Sequence, residues 1–146
     1  MLERALAITE EAYGRDHPAV AMHVNNLALI LRDLGQPGTA RPLLERALAI
    51  TEEAYGKDHP VIATHLNNLA AIQQDLGQPK TARSLLERAL AIDVAAYGKD
   101  HPAIVIDLDN LATNQQDLAQ PKAARPLLQR ALVIDVAAYE PDHPRR

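Results

Sequence analysis

The sequence has no cysteine, no tryptophan and no phenylalanine, and it contains a single serine. Without cysteine there is no thiolate nucleophile, no Cys-based zinc site and no disulfide. Ser84 sits in a leucine-rich helical pattern with no strained turn or glycine-rich loop around it, which argues against a serine nucleophile. The few glycines are isolated at the ends of periodic segments, so neither a phosphate-cradling loop nor a dinucleotide fingerprint is present. Positive charge is not in excess either. The net charge is −4, and the basic footprint of a nucleic-acid binder is missing. No segment approaches the ~18 consecutive apolar residues of a membrane span. Glu3, Glu10 and Glu11 interrupt the stretch where a secretory signal would be apolar. These absences predict a soluble chain, cytoplasmic by default, with no nucleic-acid or membrane partner.

What is present is a 47% apolar composition carried almost wholly by Leu, Ile, Val and Ala, which suits helices packed at close range. It is also periodic. Asp-His-Pro stands at 16–18, 58–60, 100–102 and 142–144; Tyr13, Tyr55, Tyr97 and Tyr139 keep the same 42-residue step, as do Leu2, Leu44, Leu86 and Leu128. Between residues 16–57 and 58–99 about seven positions in ten are identical, far beyond what composition would produce. Each unit reads as two helices. In the first, Pro18 suits the opening position, where its missing N–H needs no partner. Val20, Val24, Leu27, Ala28, Leu31 and Leu34 then follow the three-and-four spacing of an amphipathic helix. Gly35 and Pro37 end it. The second helix carries Ala40, Leu43, Leu44, Ala47, Leu48 and Ile50 and closes at Gly56, a residue able to adopt a left-handed conformation. Pro42 lies inside it and is expected to disturb its first turn; Ser84 takes that place in the next unit.

The pattern gives an all-α, superhelical solenoid of antiparallel helix pairs: a partial repeat with its second helix alone (1–15), repeats at 16–57, 58–99 and 100–141, and the start of another at 142–146. The segments Asn25-Asn26-Leu27-Ala28, Leu34-Gly35, Ala40 to Ile50 and Tyr55-Gly56 resemble the tetratricopeptide repeat family, in the long-period branch found in kinesin light chains and bacterial multi-repeat proteins. The resemblance covers essentially the whole chain. It implies small residues at helix crossings, falling on Ala28, Ala40, Ala47, Ala70, Ala82 and Ala89, and a non-enzymatic scaffold without a cofactor. Large aromatics of shorter-period members are replaced here by Val24, Leu31 and Leu44.

The resemblance further implies that first helices line a concave surface that holds an extended peptide. Carried onto this sequence, the groove positions are Met22, Asn25, Leu29, Arg32 and Asp33; Thr64, Asn67, Ala71, Gln74 and Asp75; and Ile106, Asp109, Thr113, Gln116 and Asp117. Asparagine has both donors and an acceptor, so such a ladder could hold a peptide backbone; equally, it could fix helix packing, a role to which Asn26, Asn68 and Asn110 are better suited. Asp33, Asp75 and Asp117 against Arg32 alone predict a neutral or basic peptide rather than an acidic one. The histidines at 17, 59, 101 and 143 run along the solenoid instead of converging, and His17 and His23 are not spaced as ligands on one helix face, so a metal site is not expected. The tyrosines are expected to cover the edge of the core with their hydroxyls in water. Neither end carries a polar capping helix, leaving Leu127, Leu128, Leu132 and Ile134 to open an apolar face. The alternative function is therefore self-association, by end-to-end stacking or helix exchange.

Overall fold

A computed structural model describes residues 2–139. Its helices are α1 (Leu2–Tyr13), α2 (Pro18–Asp33), α3 (Pro37–Tyr55), α4 (Pro60–Asp75), α5 (Pro79–Tyr97), α6 (Val105–Asp117) and α7 (Pro121–Tyr139), with a 3-10 turn at Pro102–Ile104 leading into α6; no strand occurs among the described residues. His143 and the expected start of a further repeat at 142–146 lie outside the described residues.

The helix starts are set by the His-Pro pair. His17, His59 and His101 have extended backbone, and each imidazole Nδ1 accepts a hydrogen bond from the N–H two residues on, at 3.0 Å from Ala19, 3.1 Å from Val61 and 2.9 Å from Ala103. The ring thus satisfies an amide that the helix leaves unpaired, as Ser or Asp does at other helix starts, and proline fills the next position without needing a donor. Tyr13, Tyr55 and Tyr97 are about half exposed, and they stack on His17, His59 and His101 with ring centroids 4.6, 4.8 and 5.2 Å apart. The ends of α1, α3 and α5 are thereby clamped to the start of the first helix that follows each.

First helices end in a Schellman motif. The N–H of Gly35 bonds to the carbonyl of Arg32 and that of Gln36 to the carbonyl of Leu31, with Gly35 at φ 78°; Gly77 repeats the arrangement at φ 75°. Ala119 holds the same position at φ 60°, although it carries a Cβ. Leu34 lies beyond the helix and is 66% exposed, so its place in the expected apolar stripe was wrong. Gly56 closes α3 at φ 87° and ψ 170°, an extended region essentially restricted to glycine, not the left-handed helical one expected. Pro37 opens α3 rather than ending α2, and the helix runs unbroken through Pro42.

The helices stack in two layers, α2, α4 and α6 in one and α1, α3, α5 and α7 in the other; α3 and α5 each pack on the first helix of their own pair and of the next, α1 on α2 and α7 on α6. Ala28, Ala40, Ala47, Ala82 and Ala89 are fully buried at the crossings, which lets helix axes approach toward ~8 Å. Leu44, Ile62, Leu66, Ile104 and Leu108 fill the space between. The outer layer is tied by arginines. Arg46 donates to Glu10 at 2.8 Å and to the Arg15 carbonyl; Arg88 donates to Glu52 at 3.0 Å and to the Lys57 carbonyl; Arg130, with Val94 at the repeat position of Glu52, retains the Lys99 carbonyl at 2.8 Å.

Candidate functional site

First helices touch their neighbours sparsely. The spacing that alanines impose in the core is set by the second helices, so the faces of α2, α4 and α6 are left splayed. A groove of about 400 Å³ opens along them, lined by Arg32 from α2, Asn67, Asn68, Ala71 and Gln74 from α4, Leu86 beneath, and Ile106, Asn110 and Thr113 from α6. A second hollow of about 270 Å³ shares Asn67, Asn68 and Ile106 with it and continues past Thr64 to Pro60, Ala103, Asp93 and Tyr97.

Of the positions carried over from the sequence, Arg32, Asn67, Ala71, Gln74 and Thr113 line the main groove. Thr64 and Ile106 line its continuation. Asn25 lies below the surface instead: its Oδ1 accepts from Asn68 Nδ2 at 3.0 Å and faces His65 Nδ1 at 3.3 Å. Met22, Leu29, Asp33 and Asp109 lie outside both hollows, and Gln116 borders a separate hollow against α7. Asp75 is bound by Arg32, which donates through both Nε and Nη2, the latter at 3.3 Å; Asp117 accepts from Gln74 at 3.3 Å. Asn68 and Asn110, assigned to packing on sequence grounds, both line the groove, while Asn26 is exposed and outside it.

These contacts share a spacing. Asn25–Asn68, Arg32–Asp75 and Gln74–Asp117 are each 43 residues apart, while Asn25–His65, Asn67–Asp107 and Gln74–Asn114 are each 40 apart. Two polar residues therefore reach forward from each of α2 and α4 to the next first helix, Asn25 and Arg32 from α2 and Asn67 and Gln74 from α4, and the ladder joins the units on the face where apolar packing is thin. It also consumes cationic charge: Arg32 is neutralised by Asp75, whereas Asp33 and Asp109 remain exposed. Burial lowers His65 below the ordinary imidazole value, so at neutral pH it is uncharged and its Nδ1–H can donate to Asn25.

At the junction of α4, α5 and α6 two carboxylates meet. Asp107 is fully buried and accepts from Asn67 Nδ2 at 2.8 Å, and Asp93 is 8% exposed. Burial, the hydrogen bond to Asp107 and the Asp107 charge push Asp93 up to about 8, so at neutral pH it keeps its proton and donates it to Asp107. The sequence signal for this pair was a double departure from the repeat. Thr51 and His65 occupy these positions one unit earlier, and Thr51 satisfies its own hydroxyl on the Ala47 carbonyl at 2.8 Å. Each is a departure from the preceding repeat, and only the fold brings the two together.

The tetratricopeptide repeat family model matches residues 19–93 and 62–135, and a related model of the same repeat matches residues 1–19. Among solved structures, a kinesin-light-chain-type protein of Podosopora anserina with nearly identical tetratricopeptide-like repeats is 28% identical, with a TM-score of 0.79 over 95% of this chain and 66% of its own. BtubC (BKLC) of P. vanneervenii is also 28% identical, with a TM-score of 0.85 over 99% of this chain and 58% of its own. The chain thus spans roughly 58–66% of the length of these structures. No curated protein matches it. Among the described residues no helix is long and apolar enough to cross a membrane.

Proposed function

The chain belongs to the tetratricopeptide repeat family, whose repeats generally mediate protein–protein interaction and are typically non-enzymatic, and on that premise we propose that it holds an extended neutral or basic peptide along α2, α4 and α6. The observation that carries this reading is the continuous groove through Asn67, Asn68, Asn110 and Thr113, polar enough to bond a peptide backbone and devoid of free cationic side chains among its described residues. The repeats at 16–57, 58–99 and 100–141 are its units. Amides spaced along such a face offer donor and acceptor to each peptide unit regardless of its side chains, and Asp33 and Asp109 bias the field toward positive ligands. Isothermal titration with decapeptide pools of basic, neutral and acidic composition tests it: basic and neutral pools bind, and a preference for the acidic pool contradicts the reading.

A second reading, self-association as a structural array, rests on α7. Leu128 is 41% exposed, whereas its counterparts Leu44 and Leu86 are 0% and 2% exposed; Leu132, Val133 and Val136 extend the same face. In each inner junction this face is covered by the next helix pair. A second copy could cover it here, by a two-fold contact that closes or a head-to-tail one that propagates. Light scattering across concentration separates these readings, since a strict monomer at high concentration contradicts assembly through α7.

A further inference from the structure

The hollow at the far end of the groove is rich in acceptors and poor in donors. Asp93 lies on its wall, and behind it Asp107 Oδ2 is buried with no donor beyond the proton that Asp93 holds; Asn67 Oδ1, on the wall, is buried and unpartnered. No lysine or arginine among the described residues pairs with either carboxylate. A buried carboxylate without a countercharge is costly, and the fold does not require this one. The preceding junction packs in the same way with Thr51 and His65. The rim has the opposite character: Ile106 is 62% exposed, Tyr97 is 46% exposed with its ring held by His101, and Pro60 completes the edge. An apolar mouth above an anionic floor matches a side chain with an aliphatic stem and a cationic head.

We propose that this hollow between α4, α5 and the start of α6 is a subsite for the cationic side chain of a bound peptide, a lysine ammonium or an arginine guanidinium. The stem lies along Ile106 and Tyr97, and the head donates to Asp93 and Asn67 Oδ1, with the Asp107 charge behind them. The proton held between the two carboxyl groups leaves to solvent as the cation enters. The subsite deepens the groove reading and rests on it, supplying the anchor that an otherwise sequence-tolerant groove lacks.

The test uses three small probes, N-acetyl-lysine methylamide and its arginine and norleucine counterparts, titrated into the whole chain while the side-chain amide resonances of Asn67 are followed. A saturable shift with lysine, arginine or both is expected, the stronger of the two identifying the head group, with norleucine at least tenfold weaker. The Asp93→Thr/Asp107→His double variant reproduces the residue pair of the preceding junction and should bind the cations at least tenfold more weakly with its fold intact. Asp93→Asn, nearly isosteric, provides the same comparison should the double variant fail to fold. Equal binding of norleucine, or undiminished cation binding by the variants, overturns the subsite. Decapeptide pools separate the two ideas. Pools that bind without a lysine or arginine preference overturn the subsite and leave the groove standing; pools that do not bind at all overturn the groove and with it the anchoring role.

Discussion

At the scale of single residues, two positions stand against their surroundings. Ala119 occupies the left-handed position that Gly35 and Gly77 fill elsewhere. A Cβ there costs about 1–2 kcal/mol, offset in part by the extra chain entropy glycine loses on folding. Ala119→Gly should therefore stabilise the chain by about 0.5–1 kcal/mol, seen as a higher urea midpoint at unchanged slope. Asp93 is the other. Its folded value is raised to about 8 from an ordinary 3.8, so the folded chain binds the extra proton between those limits. Stability from this group is full below the ordinary value, falls as pH rises and is lost above about 8. Asp93→Thr should consequently gain on the parent chain as pH goes from 5 to 9, by a few kcal/mol at most. An equal difference at both pH values would count against the buried pair. His65 acts in the opposite direction, its lowered value removing stability as pH falls below the ordinary imidazole range.

At the scale of helices, the ends were read with mixed success, for identifiable reasons. Proline and glycine punctuate through backbone geometry alone, so the starts at Pro18 and Pro60 and the stops at Gly35 and Gly77 were legible. Histidine as the capping acceptor was not, because its Nδ1 reaches the second amide only in one tautomer and one rotamer. The stacked tyrosines were missed for a related reason: a ring four residues before a histidine has no periodic signature of contact. Removal of a capping ring leaves that amide without its acceptor, so His59→Ala should cost about 1 kcal/mol, measured by thermal melting. The arginine ladder makes a further comparison possible. Arg88 reaches a carboxylate and a carbonyl, whereas Arg130 reaches a carbonyl, Val94 standing at the repeat position of Glu52. Arg88→Ala should destabilise by about 1–2 kcal/mol and Arg130→Ala by about 0.5–1, compared by urea unfolding.

At the scale of the whole molecule, the 42-residue period made the two-layer stack legible, since helices that each bury one stripe have no other way to cover it. The groove was legible in outline. First-helix positions such as Asn67, Gln74 and Thr113 fall on it because the period fixes which side of each helix repeats. Which of those side chains are free was not legible: the 40- and 43-residue steps that tie Asn25, Asp75 and Asp117 into the ladder depend on how far each unit is rotated against the next. That rotation is a property of packing. The exposed face of α7 follows from the same logic, being what every second helix presents to its successor. The groove reading and the α7 reading place a ligand on different surfaces, so the most direct measurement is to map a bound basic decapeptide pool by the side-chain amide resonances of the chain. Perturbation of Asn67, Asn68 and Asn110 with Gln129 on α7 unchanged is the predicted result; perturbation centred on Gln129, or saturation by the acidic pool in preference to the basic one, would contradict the account.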